Sequence, residues 1–103
     1  MKCVVAVVRP FLLDRILESL RLAPLEAMQV VEVKGYGRQK GYLDQYGDNE
    51  YANTFLPKVE IMLWVDDFRT QEVVEAVAQA AQSGRMGDGK IFVMDVGHAV
   101  DIV

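Results

Sequence analysis

Val59-Glu60-Ile61-Met62-Leu63-Trp64-Val65 runs directly into Asp66-Asp67, and the change of period across that junction sets the architecture. The first seven residues are mostly β-branched, aromatic or large apolar, which fits a buried strand, and Pro57 stands just before them. Beyond the junction, Val73, Ala76, Val77, Ala80 and Ala81 recur at helical spacing, and Asp66 or Asp67 offers an N-terminal cap. Ser83-Gly84 closes that helix, and Gly87-Asp88-Gly89 turns the chain into a last strand, Ile91-Phe92-Val93-Met94. Working back from Val59, the chain has few regular signals from Gly35 to Thr54, about 20 residues with four glycines and no sustained apolar period. A loop of this length inside a compact domain is commonly functional or mobile. Before it, Val31 and Val33 alternate with Glu32 and Lys34 in a strand over Gln29 to Lys34. Earlier still, Leu13, Ile16, Leu17 and Leu20 form the apolar side of a helix that ends near Ala23-Pro24, and Asp14, Arg15, Glu18 and Arg21 take the other side. Val4 to Val8 is the opening strand, stopped by Pro10.

The order is therefore β-α-β-loop-β-α-β. It predicts an α+β, ferredoxin-like βαββαβ sandwich: four antiparallel strands with both helices on one face, and a long mobile loop, about residues 37–55, between strands 2 and 3. At 103 residues the chain has room for one domain, taken as residues 1–103. Val4 to Val8 and Ile61 to Val65 are apolar without clean alternation. A sheet that is apolar on both sides predicts burial against other copies of the chain.

Composition narrows the function. The chain is 51% hydrophobic and 25% charged, a globular balance, and has no apolar run long enough to span a bilayer or serve as a signal peptide. One cysteine, Cys3, cannot make an internal disulfide, and with a single histidine, His98, no zinc cluster is available; a reducing, cytoplasmic setting is expected. A net charge of −4 with eleven scattered Lys and Arg residues argues against nucleic-acid binding. No Ser/His/Asp set suggests itself, and Cys3 reads as an inert core thiol, so the chain is not expected to be an enzyme.

Two segments carry chemistry: Gly35-Tyr36-Gly37-Arg38-Gln39-Lys40-Gly41 and Ser83-Gly84-Arg85-Met86-Gly87-Asp88-Gly89-Lys90. In each, glycines leave backbone N–H groups accessible and a cation follows, which is how phosphate sites are built. Neither is a Walker A loop. Taken singly, each is more often an ordinary glycine turn, but both flank strands of one small sheet and could converge across a subunit boundary.

Those two segments, together with Glu50-Tyr51, Phe55-Leu56-Pro57-Lys58-Val59 and the opening Arg9-Pro10-Phe11, resemble the PII nitrogen regulatory proteins over essentially the whole chain. The resemblance implies a homotrimeric, cytoplasmic signal-transduction protein without covalent cofactors. ATP and ADP would compete at inter-subunit clefts, 2-oxoglutarate would bind beside Mg-ATP, and loop 37–55 would dock on protein targets of nitrogen metabolism. Carried over to this sequence, Gly35, Tyr36, Gly37, Arg38 and Gln39 match one side of the nucleotide cleft, and Ser83, Gly84, Gly87, Asp88, Gly89 and Lys90 the other. Gln39, Gly41 and Lys58 match the 2-oxoglutarate positions, Gln39 also that of magnesium, and Tyr51 the loop tyrosine that some members have uridylylated.

The sequence also departs from the family pattern. Asp101 and Val103 stand where two phosphate-holding arginines are common, Met62 replaces a glutamate near Lys58, and Gln29 a threonine near the nucleotide. These changes leave open a divergent PII-like protein that prefers ADP, AMP or another small anion such as bicarbonate and regulates carbon or transport functions. Gly47-Asp48-Asn49 at the loop tip lacks the arginine of channel-plugging members, so no such plug is expected. Tight binding of the ADP-loaded protein to an ammonium channel in a pull-down would overturn that expectation.

Overall fold

A computed structural model describes residues 1–35, 56–84 and 88–103. The elements are β1 (Lys2–Val8), a 3-10 turn over Pro10–Leu12, α1 (Leu13–Ser19), β2 (Leu25–Gly35), β3 (Leu56–Val65), a 3-10 turn over Asp67–Arg69, α2 (Thr70–Ala81) and β4 (Gly89–Asp95). The sheet order is β2-β3-β1-β4 with every pairing antiparallel, which is the ferredoxin-like topology expected from the sequence.

The core lies between the helices and one face of the two central strands. Val4, Ala6 and Val8 of β1 and Val59, Ile61, Leu63 and Val65 of β3 meet Leu12, Ile16 and Leu20 from the first helical segment and Val73, Val77, Ala80 and Ala81 from α2. Removing this apolar surface from water is the main force holding the layers together, at roughly 25 cal/mol per Å². The helical period is as expected in α2. The first helix is shorter than its apolar pattern: it stops at Ser19, whose hydroxyl donates to the Ile16 carbonyl at 2.6 Å, and Leu20 then packs into the core from the following turn.

Neither Asp66 nor Asp67 caps α2 with its side chain. Asp66 starts the 3-10 turn without a side-chain cap bond, its carbonyl accepting from the Thr70 hydroxyl, and Asp67 pairs with the N-terminal amine of Met1 at 2.8 Å. Strand β2 begins at Leu25, earlier than the alternation at Val31 and Val33 suggests. It is an edge strand, exposed through most of its length, so burial imposes no strict period on Leu25 to Met28. Pro57 lies inside β3 opposite Lys34, before β1 joins at Val59, so its missing N–H leaves no gap in the central ladder.

Register fixes the other, open face row by row. Ala27, Trp64, Cys3 and Met94 form the first row, and Gln29, Met62, Val5 and Phe92 the second. Val31, Glu60, Val7 and Lys90 form the third, and Val33 and Lys58 the fourth, beyond the end of β1. The face thus passes from apolar to charged along the strands. Val31, Phe92 and Met94 of the flanking strands remain exposed on it, whereas Cys3 and Val5 of β1 are already buried within the chain.

Candidate functional site

The charged end of the open face gathers residues from three strand ends. Lys58 is the one polar side chain among the described residues in the buried class, 7% exposed. Around it are Arg9, just past β1, and Asp88, just before β4; Arg9 Nε lies 3.5 Å from Asp88 Oδ1. Burial is the main reason the Lys58 amine is pushed below the ordinary lysine range, and the Arg9 charge pushes it further, while Asp88 partly opposes both. A lysine so placed costs free energy to keep charged, and an added anion lowers that cost. That makes this end of the sheet a candidate anion site.

Asp88 also organises the turn after α2. Its Oδ2 accepts the Ser83 N–H at 2.7 Å and the Gly84 N–H at 3.1 Å, and its Oδ1 accepts the Ser83 hydroxyl. Gly84 sits at φ +83°, a left-handed conformation in which any side chain would be strained. Gly89 has a tighter constraint. At φ +151° a Cβ on it would lie 2.4 Å from the Val7 carbonyl oxygen, so the backbone of β4 can approach β1 there only without a side chain. The following Lys90 projects onto the open face with its ammonium 5.5 Å from the centre of the Phe92 ring.

Of the residues singled out from the sequence, the structure thus brings Lys58, Ser83, Gly84 and Asp88 into one neighbourhood, with Gly89 and Lys90 continuing from it along β4. Gly35 is the last residue of β2, opposite Leu56. Tyr36, Gly37, Arg38, Gln39, Gly41, Tyr51 and Gly87 lie outside the described residues. Arg9 is the member that the motif reading missed. Its only local signal is a cation between the end of a strand and Pro10. No cluster of three or more His, Cys, Asp or Glu side chains occurs among the described residues. Cys3, buried in the first row, has its thiol pushed up by burial and then by Glu60, which disfavours the reactive thiolate.

A family model described as Nitrogen regulatory protein P-II matches residues 1–102. The chain belongs to the P-II family. Proteins named Nitrogen regulatory protein P-II from Rhizobium etli, Rhodospirillum rubrum and Mesorhizobium japonicum are 47%, 46% and 45% identical to it. Each match covers 99% of this chain and 91% of the relative. The family is one of nitrogen-regulatory signal-transduction proteins. Among the described residues no helix is long and apolar enough to cross a membrane.

Proposed function

We propose that this P-II protein is a cytoplasmic, ligand-gated regulator that binds ATP and ADP, and 2-oxoglutarate with Mg-ATP, at the inter-subunit clefts of a homotrimer. It controls nitrogen-metabolism targets that dock on loop 37–55. The observation that carries this reading is the buried Lys58 beside Arg9, at the strand ends where Ser83-Gly84 and Asp88-Gly89 also meet. Lys58 and Arg9 present two cations to a carboxylate effector, which charge-assisted hydrogen bonds would hold. Lys90 and the turn of Ser83, Gly84, Gly87, Asp88 and Gly89 serve the nucleotide from one subunit, and Gly35, Tyr36, Gly37, Arg38 and Gln39 from its neighbour. Gln39 supplies a neutral oxygen for magnesium, which prefers oxygen ligands, and the nucleotide and effector supply the rest. Gln39 and Gly41 complete the 2-oxoglutarate site around Lys58, and Tyr51 is the residue open to modification. Stacking of the open sheet faces buries Val31, Phe92 and Met94 between subunits.

A second reading is favoured by Asp101 and Val103, which put an anion and an apolar residue where phosphate-holding arginines are common in the family. On that reading the site prefers ADP, AMP or a smaller anion such as bicarbonate and serves carbon or transport functions. Calorimetry with ATP, ADP and AMP, each with and without magnesium and 2-oxoglutarate, decides between them. Binding of 2-oxoglutarate only with Mg-ATP supports the first reading; ADP or AMP preference without a 2-oxoglutarate response supports the second. Absence of heat from every ligand overturns both.

A further inference from the structure

Asp88 makes contacts that a direct phosphate ligand would not need. A carboxylate only accepts hydrogen bonds, with two oxygens and about four lone-pair sites. Here one oxygen takes the Ser83 and Gly84 amides, and the other takes the Ser83 hydroxyl and faces Arg9 Nε. The side chain is 18% exposed and its charge would repel a phosphate. Its backbone is held as well, because the next residue, Gly89, lies so close to the Val7 carbonyl that a Cβ would not fit. Asp88 is therefore fixed to the sheet at one end and grips the exit of α2 at the other.

We propose that Asp88 is a positioning residue whose carboxylate clasps the glycine turn at Ser83-Gly84 to Arg9, and so couples nucleotide binding on that turn to anion binding at Lys58. The inference rests on the nucleotide and 2-oxoglutarate reading above and adds a route between the two ligands. A nucleotide that shifts the turn shifts Asp88, which moves or releases the guanidinium beside Lys58. The amine then meets a different field, and its affinity for a carboxylate changes. By linkage, the carboxylate alters nucleotide affinity by the same factor.

Among the described residues, the charged groups facing Lys58 are Arg9 from the end of β1 and Asp88 from the start of β4, with Glu60 and Lys90 one row along the open face. Asp88→Asn keeps the shape and removes the charge. In the full-length protein it is expected to weaken ATP binding about tenfold. It should also cut the factor by which Mg-ATP tightens 2-oxoglutarate at least about fivefold. Because Asp88 supports the Lys58 ammonium, the pH above which 2-oxoglutarate affinity falls should move lower in this variant. Ser83→Ala, which keeps the carboxylate and Arg9, should weaken ATP about threefold and leave that pH unmoved; it also serves if Asp88→Asn does not fold.

Two ligand-free measurements accompany these. Asp88→Asn should speed hydrogen exchange at the Ser83 and Gly84 amides about tenfold, and should lower the titration point of the Lys58 amine followed by carbon-13 NMR. Wild-type affinity and coupling in Asp88→Asn, or weaker ATP binding with coupling factor and pH profile unchanged, overturns the clasp. If the wild-type protein binds neither ligand the functional reading fails, and the Lys58 titration still decides whether Asp88 and Lys58 are linked.

Discussion

Lys2 and Lys58 both stand near the start of a strand, at opposite ends of the same sheet, and their surroundings drive them in opposite directions. Lys2 bonds to Asp95, is one-third exposed, and has its amine pushed up by that hydrogen bond and charge. Close by, the Met1 amine holds the Asp67 carboxyl below its usual range. At that end each charge favours its partner's charged form, and water reaches them. At the other end Lys58 is buried, and it is pushed down by that burial and by the Arg9 charge, with Asp88 opposing both. The first arrangement stabilises a fold modestly. The second spends stability to keep a charge where an anion can use it.

The largest effect expected from breaking this contrast is backbone damage at the site end. Gly89→Ala places a Cβ 2.4 Å from the Val7 oxygen at positive φ and should lower unfolding free energy by about 2–4 kcal/mol, measured by urea denaturation at fixed protein concentration. Gly97→Ala, just past the far end of β4, meets nothing within 4 Å and should stay within about 0.5 kcal/mol of the parent. Equal losses would show that the close approach at Gly89 does not matter.

Next in size is removal of the buried charge. Lys58→Met should raise stability by about 1 kcal/mol while abolishing 2-oxoglutarate binding, because Asp88 keeps Arg9 and a costly ammonium is gone. Lys2→Met should lower stability slightly, by an amount that shrinks in high salt. A clear destabilisation by Lys58→Met would mean that its ion contacts outweigh its burial.

The smallest effect is in pH dependence. Since the folded Lys58 amine is depressed, the unfolded chain binds the extra proton between the folded value and the ordinary value of about 10.4, so stability rises with pH across that window. Lys2 acts in the opposite sense. Its raised amine contributes stability in full below the ordinary value, and this is lost as pH rises through the folded one. Comparing pH–stability curves of the two Met variants with the parent checks both signs: each variant should lose one slope and keep the other.

How much was legible depends on whether a residue's role is local. The runs Val4 to Val8 and Ile61 to Val65 and the spacing of Val73, Val77 and Ala80 carry their own period, and the structure follows them. Leu25 to Met28 did not read as strand, because an exposed edge needs only a partner and β3 supplies it. The caps expected from Asp66 and Asp67 gave way to a 3-10 turn and to the Met1 amine, a partner that only the folded chain brings near. The glycine turn around Ser83-Gly84 and the cation Lys58 were visible as motifs. Arg9 stood in the matching Arg9-Pro10-Phe11 but carried no site role there, since its meaning comes from the three strand ends meeting at Asp88.

The row pattern of the open face also limits how the chain can change in length. Lys58 lies one row past the last residue of β1, with its orientation set by alternation counted from Val59. One residue added between Lys58 and Val59 would reverse that parity and send the amine toward the helices, whereas a pair would restore it. Gains and losses between Gly35 and Leu56 leave this count untouched. Length variation in that segment is therefore unconstrained by the parity of β3, whereas between Lys58 and the core of β3 it is permitted only in even steps.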